Sequence, residues 1–246
     1  YGEDGAVWGF EVLSGGYGGF RRHAHLAYVP LPGGERAVRQ PWVMAVSYLL
    51  ACLGEDGYRL AERFFPDRAA ELPLLGKLVA AGFNSPLASS CGRLFDAVSA
   101  LLGVCRENTY DGQAAAELGE LVLEGIEDVY PFAFRRGVLD PGPLLAGVTG
   151  DVLAGADRRL VATRFHNAVA AMAVAAALAT AEEAGLDRVV LSGGCFQNPY
   201  LLLRVREALE GAGLKVYFHR RVPANDGGLA LGQAMVARWR WRAGAG

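Results

Sequence analysis

An α/β fold, with a helical block inserted between two lobes, is what this chain predicts, and three observations carry the prediction. Residues 7–32 are glycine-rich and alternate apolar with polar positions. Residues 41–155 place apolar side chains at helical spacing, and the remainder alternates helix-like with strand-like segments. Strands, a run of helices, then alternating helix and strand is the order of one lobe carrying an insertion, followed by an α/β lobe. The 246 residues, 52% of them hydrophobic, can bury one large core or two modest ones.

Each element has its own local reason. "AVWGFEVL" and "FRRHAHLAYV", joined through "SGGYGG", read as a β-hairpin. After "PLPGG" the expected helices are 41–53, 72–81, 91–103, 112–126 and 141–155. In the third, Leu94, Phe95, Val98, Leu101 and Leu102 form an apolar stripe, with Ser89 or Ser90 placed to cap it. The segment 130–143 breaks the helical pattern and has room for a short strand. A long helix over 165–184 leads to a strand at 189–191, a helix at 199–211, a strand at 215–219 and a helix at 228–239. The expected division is 1–40 as the β-rich part of a first lobe, 41–160 as the helical block and 161–246 as the second lobe.

Composition removes several classes of function. A net charge of -2 provides no basic surface for nucleic acid or an anionic membrane. Cys52, Cys91, Cys105 and Cys195 have no CxxC spacing, which suits reduced thiols in a cytoplasmic protein better than a disulfide frame or zinc site. The longest apolar stretch, 168–181, falls short of the ~20 residues a bilayer requires, so a buried helix is expected. The opening "YGEDG" reads as a cut through a longer protein, with no leader or targeting segment in view.

Three stretches carry candidate chemistry. In "VVLSGGCFQNPYLL" (189–202) a branched strand stops at Gly193 and Gly194, and Asn198 with Pro199 opens a helix. A strand, a glycine turn and a helix start make a place to hold an anion or a plain connection. "RVPANDGGLALGQA" (221–234) repeats the pattern: Asn225 or Asp226 can cap the helix, Gly227 and Gly228 leave its first amides open, and Asp226 offers oxygen to a cation. Two such turns on neighbouring strands point to one shared nucleotide site, because neighbouring strands deliver their ends to the same edge. In "SSCGRLFDA" (89–97), Arg93 and Asp96 lie three apart, as an ordinary helix ion pair or with Asp96 free to hold a ribose. The histidines argue for less. His23 and His25 share a strand face but want a third ligand, His166 suits a core or helix start, and His219 merely ends a strand. The "RWRWR" tail reads as a helix end whose arginines suit the dipole.

"SSCGRLFDAVSALLGV", "YDGQAAAELG", "RFHNAVA", "LSGGCFQNPYLL" and "VPANDGGLALGQA" together resemble the C-terminal, Kae-like domain of HypF-type hydrogenase-maturation carbamoyltransferases. "YGEDGAVWGFEVL" and "HLAYVPLPGGERAVRQPW" are similar to the segment that precedes it, so the likeness runs through nearly the whole chain in order. It implies the actin-like, sugar-kinase-like ATPase superfold, with the first lobe incomplete here. It also implies ATP and a carbamoyl adenylate made in an upstream domain from carbamoyl phosphate. The carbamoyl group would pass to the C-terminal cysteine of a HypE-like partner, and the acceptor's thiol, rather than Cys195, would be the nucleophile.

By the same resemblance, Asp96, Gly112, Gly193, Gly194, Asn198, Gly227 and Gly228 would contact the nucleotide. Asp226 would bind a divalent metal (iron or zinc, or magnesium) together with two histidines that the family carries upstream of Tyr1. A fragment without that segment is expected to bind nucleotide weakly, to be inactive and to self-associate through uncovered sheet edge. Two other readings stay open: another carbamoyl- or threonylcarbamoyl-transferase of the superfold, acting on an antibiotic, a nodulation factor or tRNA, or a non-catalytic fragment that docks a partner.

Overall fold

The computed structural model describes residues 1–244; the last two residues of the expected second lobe lie outside the described residues. The expected hairpin is formed by β1 (Glu11–Gly16) and β2 (Gly19–Leu26), antiparallel and closed by Tyr17 and Gly18. β3 (Val29–Pro30) pairs with β4 (Leu87–Ala88) in a separate two-stranded sheet. The break in the helical block holds two strands, β5 (Ala133–Arg135) and β6 (Val138–Asp140). Arg136 and Gly137, both at positive φ, turn the chain between them. β6 then pairs in parallel with β2, giving a four-stranded sheet of order β1-β2-β6-β5. The hairpin thus acquires its third and fourth strands from more than a hundred residues downstream.

Helix positions follow local signals closely. Short α1 (Glu35–Arg39) was not expected. α2 runs Pro41–Phe64 but breaks at Gly54, whose φ of 57° and ψ of -128° only glycine adopts readily, so its first part ends where the expected helix ends. α3 (Leu72–Ala81) lies as expected and stops at Gly82 in the left-handed conformation. α4 (Cys91–Leu101) is capped by Ser90, which accepts from Arg93 N at 3.4 Å, while Ser89 instead hydrogen-bonds Glu11. α5 (Gln113–Gly119) is shorter than the sequence pattern indicates, and α6 spans Gly142–Leu153. α7 (Arg158–Ala184) starts seven residues earlier than expected, because Asp157 caps it by accepting from Arg159 N at 2.8 Å.

The last segment alternates as expected: β7 (Arg188–Leu191), α8 (Pro199–Gly211), β8 (Lys215–Phe218) and α9 (Leu229–Arg242). β7 and β8 pair in parallel with Leu191 opposite Phe218. One apolar cluster runs from Leu26 and Leu139 on the sheet through Phe165 and Met172 of α7 to Trp42, Tyr48, Leu94 and Leu101 of the helical block. α7 is long and apolar enough to cross a membrane, yet 67% of its apolar window is buried against protein. Its aliphatic surface is used as the core between sheet and helices.

Candidate active site

β7 and β8 point their carboxyl ends in one direction, and the chain leaves each by a tight turn. After β7, Gly193 takes φ 106° and ψ 157° and begins a 3-10 turn over Gly194–Gln197. After β8, a second 3-10 turn covers Asp226–Gly228. Gly193 N donates to Ala224 O at 2.9 Å, which ties the two turns together. They border one open cleft of about 770 Å³, with Gly193, Gly194, Asp226 and Gly228 on its wall beside Pro223 and Val236. Gly227 sits between two of these wall residues. The shared-edge argument from sequence therefore holds in space.

Capping resolves one ambiguity. Asn225, not Asp226, caps the 3-10 turn: its Oδ1 accepts from Gly227 N at 3.1 Å and its carbonyl from Gly228 N at 2.9 Å. α9 itself, contrary to expectation, has Gly228 at its N-cap position and no side-chain cap. Asp226 is left exposed, with its carboxylate free for the cleft. Asn198 caps α8 by accepting from Leu201 N at 3.1 Å, and its amide lies against Gly119 at the end of α5. Asn198→Ala is expected to cost about 1 kcal/mol, lowering Tm by roughly 2–4 °C in a thermal melt.

Asp96 and Gly112 are not on the cleft wall. Asp96 lies on α4, only 1% exposed, with Arg93 Nη1 2.9 Å from its Oδ2. Gly112 begins α5, which packs beside α4, at φ 81°. The contact with Arg93 is an ion pair without the direction of a hydrogen bond, and both carboxylate oxygens are buried without a hydrogen-bond donor. Burial pushes the Asp96 carboxyl up to about 6 from 3.8; the Arg93 charge and Asn108 pull it down, and Asp111 raises it. Of the two sequence readings, an exposed helix ion pair is excluded, because the partners of α4 enclose the pair. Cys195 links the two regions: its thiol meets that of Cys91 in the first turn of α4, with Arg93 and Asp96 close enough to act on it electrostatically. The hydrogen bond to Cys195, together with burial, pushes the Cys91 thiol well above its ordinary value.

The histidines divide as their surroundings dictate. His23 bonds Ser14 Oγ at 2.7 Å and Glu183 at 3.2 Å, and His25 stacks on Tyr28. His166 is fully buried among Phe95, Phe165 and Tyr200, with Nδ1 donating to Ala162 O at 2.7 Å; burial takes its pKa down to about 4. His219, given no role by the sequence, stands on the cleft wall with Ser192 and Arg240. Its position became legible only once the β7–β8 register was known. No group of three metal-type side chains occurs among the described residues. Asp226 is the one carboxylate among the cleft-wall residues, so these residues do not by themselves fit a metal site.

Comparison with known proteins places the fold in a family. A family model described as "Carbamoyltransferase, Kae1-like Domain, second subdomain" matches residues 1–233. Carbamoyltransferase HypF of Rhodobacter capsulatus is 43% identical over 238 residues, covering 96% of this chain and 30% of that protein. Its counterpart in Synechocystis sp. is 32% identical over 258 residues, covering 96% and 32%. A crystal structure of full-length HypF in the phosphate- and nucleotide-bound form superposes with a TM-score of 0.92 at 38% identity, covering 98% of this chain and 38% of that one. For the crystal structure of T. kodakarensis HypF the TM-score is 0.82 at 29% identity, covering 95% and 32%. The fold is that of a Kae1-like carbamoyltransferase domain. The chain belongs to the HypF carbamoyltransferase family, and it spans about a third of the length of these curated relatives.

Proposed function

We propose that this chain forms the nucleotide-facing part of an ATP-dependent carbamoyltransferase that works in nickel–iron hydrogenase maturation. The donor is a carbamoyl adenylate, made from carbamoyl phosphate and ATP elsewhere in the complete protein. The acceptor is the C-terminal cysteine of a HypE-like protein. Its thiolate sulfur attacks the carbamoyl carbon, a C–S bond forms, the C–O bond to phosphate breaks, and AMP departs with the electron pair. Positioning and charge stabilisation are the enzyme's share of this chemistry.

The observation that carries the reading is the pair of glycine turns joined by Gly193 N to Ala224 O around one cleft. Without side chains, Gly193 and Gly194 let phosphate oxygens approach the backbone closely, while at Gly228 the absent Cβ makes room for the Pro223 carbonyl. The buried carboxylate of Asp96, ion-paired with Arg93 but accepting no hydrogen bond, supports a place for ribose hydroxyls next to the Gly112 turn, since buried acceptors without donors are rare in folded proteins. In this conformation that carboxylate is closed off from solvent. Asn198, between the glycine turn and α5, fits a nucleoside contact as well as a cap. Asp226 would supply one ligand to a divalent ion that offsets phosphate charge, a site that the described residues alone do not complete.

Gly232 on α9 provides the test. It borders the cleft, and a Cβ there meets nothing within 4 Å, so Gly232→Trp fills the cleft without disturbing packing. In the complete protein ATP affinity should fall at least about tenfold while Tm is unchanged or slightly higher, because glycine is a poor helix former. Undiminished ATP binding, by calorimetry, would remove the cleft from the nucleotide site. Carbamoyl transfer to tRNA and not to the thiol protein would replace the acceptor.

A further inference from the structure

Two polar side chains on the cleft wall take no part in the reading above. Ser192 and His219 are each the first residue past a strand, and the last strand residues, Leu191 and Phe218, are register partners. The pair therefore stands side by side at the carboxyl edge of a parallel sheet, the edge at which open α/β folds bind their ligands. Ser192 Oγ lies 2.9 Å from His219 Nε2. Ser192 is exposed and His219 half-buried.

The direction of that hydrogen bond decides what the hydroxyl can offer. A serine that donates to a bare Nε2 presents only lone pairs to the cleft. A serine that accepts from Nε2–H keeps its own proton free for a ligand acceptor. An anionic ligand selects the second state. The same cleft wall includes Gly193, Gly194 and Gly228 and carries one arginine, Arg240, along with the one carboxylate, Asp226. Phosphate is the part of a nucleotide that suits this wall.

We propose that Ser192 donates its hydroxyl hydrogen to a phosphate oxygen of the bound nucleotide, and that His219 is a positioning residue whose Nε2–H holds the hydroxyl in that donor state. The inference rests on the cleft being the nucleotide site. Another role for a Ser–His pair is nucleophile and base. That role would put the carbamoyl group on Ser192 Oγ.

ATP and adenosine titrations of the complete protein separate these cases. Ser192→Ala and His219→Ala should each weaken ATP about tenfold and leave adenosine unmoved. Ser192→Thr, and His219→Gln with its donating amide, should recover to within about threefold. The double alanine variant should be no worse than either single one, because the two residues act as a unit. If Ser192→Ala binds ATP normally while Gly232→Trp does not, the pair has no phosphate role although the cleft reading survives. If Gly232→Trp also binds ATP normally, the cleft reading fails and takes this proposal with it. Equal losses for ATP and adenosine would mark a merely structural pair. A carbamoyl group found on Ser192 by intact-protein mass spectrometry during turnover would make it a nucleophile and overturn the assignment.

Discussion

Replacing Asp226 with alanine in the complete protein is expected to lower carbamoyl transfer by at least about a hundredfold, the scale on which an electrostatic active-site group acts. Stability should stay within about 0.5 kcal/mol of the parent, because surface changes away from caps and cores seldom do more. Asn225 makes the cap hydrogen bond, and Asp226 is exposed with no packing role. The loss thus falls on charge at the cleft rather than on folding. Asp226→Asn separates the two contributions, since it keeps the shape and removes the charge. Both variants should be slow at saturating nucleotide and melt like the parent. Transfer at the parent rate by Asp226→Ala would leave the carboxylate without a role in the reaction.

The second large effect is expected at Arg93. Arg93→Met removes the guanidinium beside Asp96 and leaves a buried carboxylate with no partner, a change that typically costs about 3–5 kcal/mol. The cost should depend on pH in a defined direction. Asp96 has a folded pKa of about 6 against 3.8 for the ordinary carboxyl, so the folded state holds its proton more tightly than the unfolded state. Stability therefore falls as pH rises from about 4 to above 6, by roughly 3 kcal/mol in the parent. Without Arg93 the folded pKa climbs further, and the decline extends to higher pH. Denaturant melts at pH 5 and pH 8 should show Arg93→Met little changed at the lower pH and strongly destabilised at the higher one. Arg93→Met combined with Asp96→Leu should recover most of the loss at pH 8. A destabilisation of equal size at both pH values would assign the effect to lost packing of the arginine stem.

Much of the architecture was legible because its signals are local. α3 and α8 fall on the residues expected, since an apolar stripe, an Asn–Pro start and a left-handed Gly82 act within a turn or two of chain. The break in α2 is written in one residue, Gly54. The glycine turns after β7 and β8 were likewise visible, and so was their meeting at one edge, because neighbouring parallel strands end together. What the chain by itself determined was thus its helices, its turns and the backbone chemistry of the cleft.

Tertiary structure decided the rest, wherever the outcome depended on which distant segment came to lie alongside. Residues 138–139 complete the sheet by pairing with His25 and Leu26, a choice made by chain closure over a long separation and not by any local pattern. Arg93 and Asp96 are spaced like any surface ion pair; only the packing of α4 against α2 and α5 makes the pair a buried one with a shifted carboxyl. Ser192 and His219 have nothing in their own neighbourhoods to connect them, and it is the β7–β8 register that sets a hydroxyl 2.9 Å from an imidazole. Periodicity and capping act over a few residues, whereas burial and side-chain partnership are properties of the assembled chain.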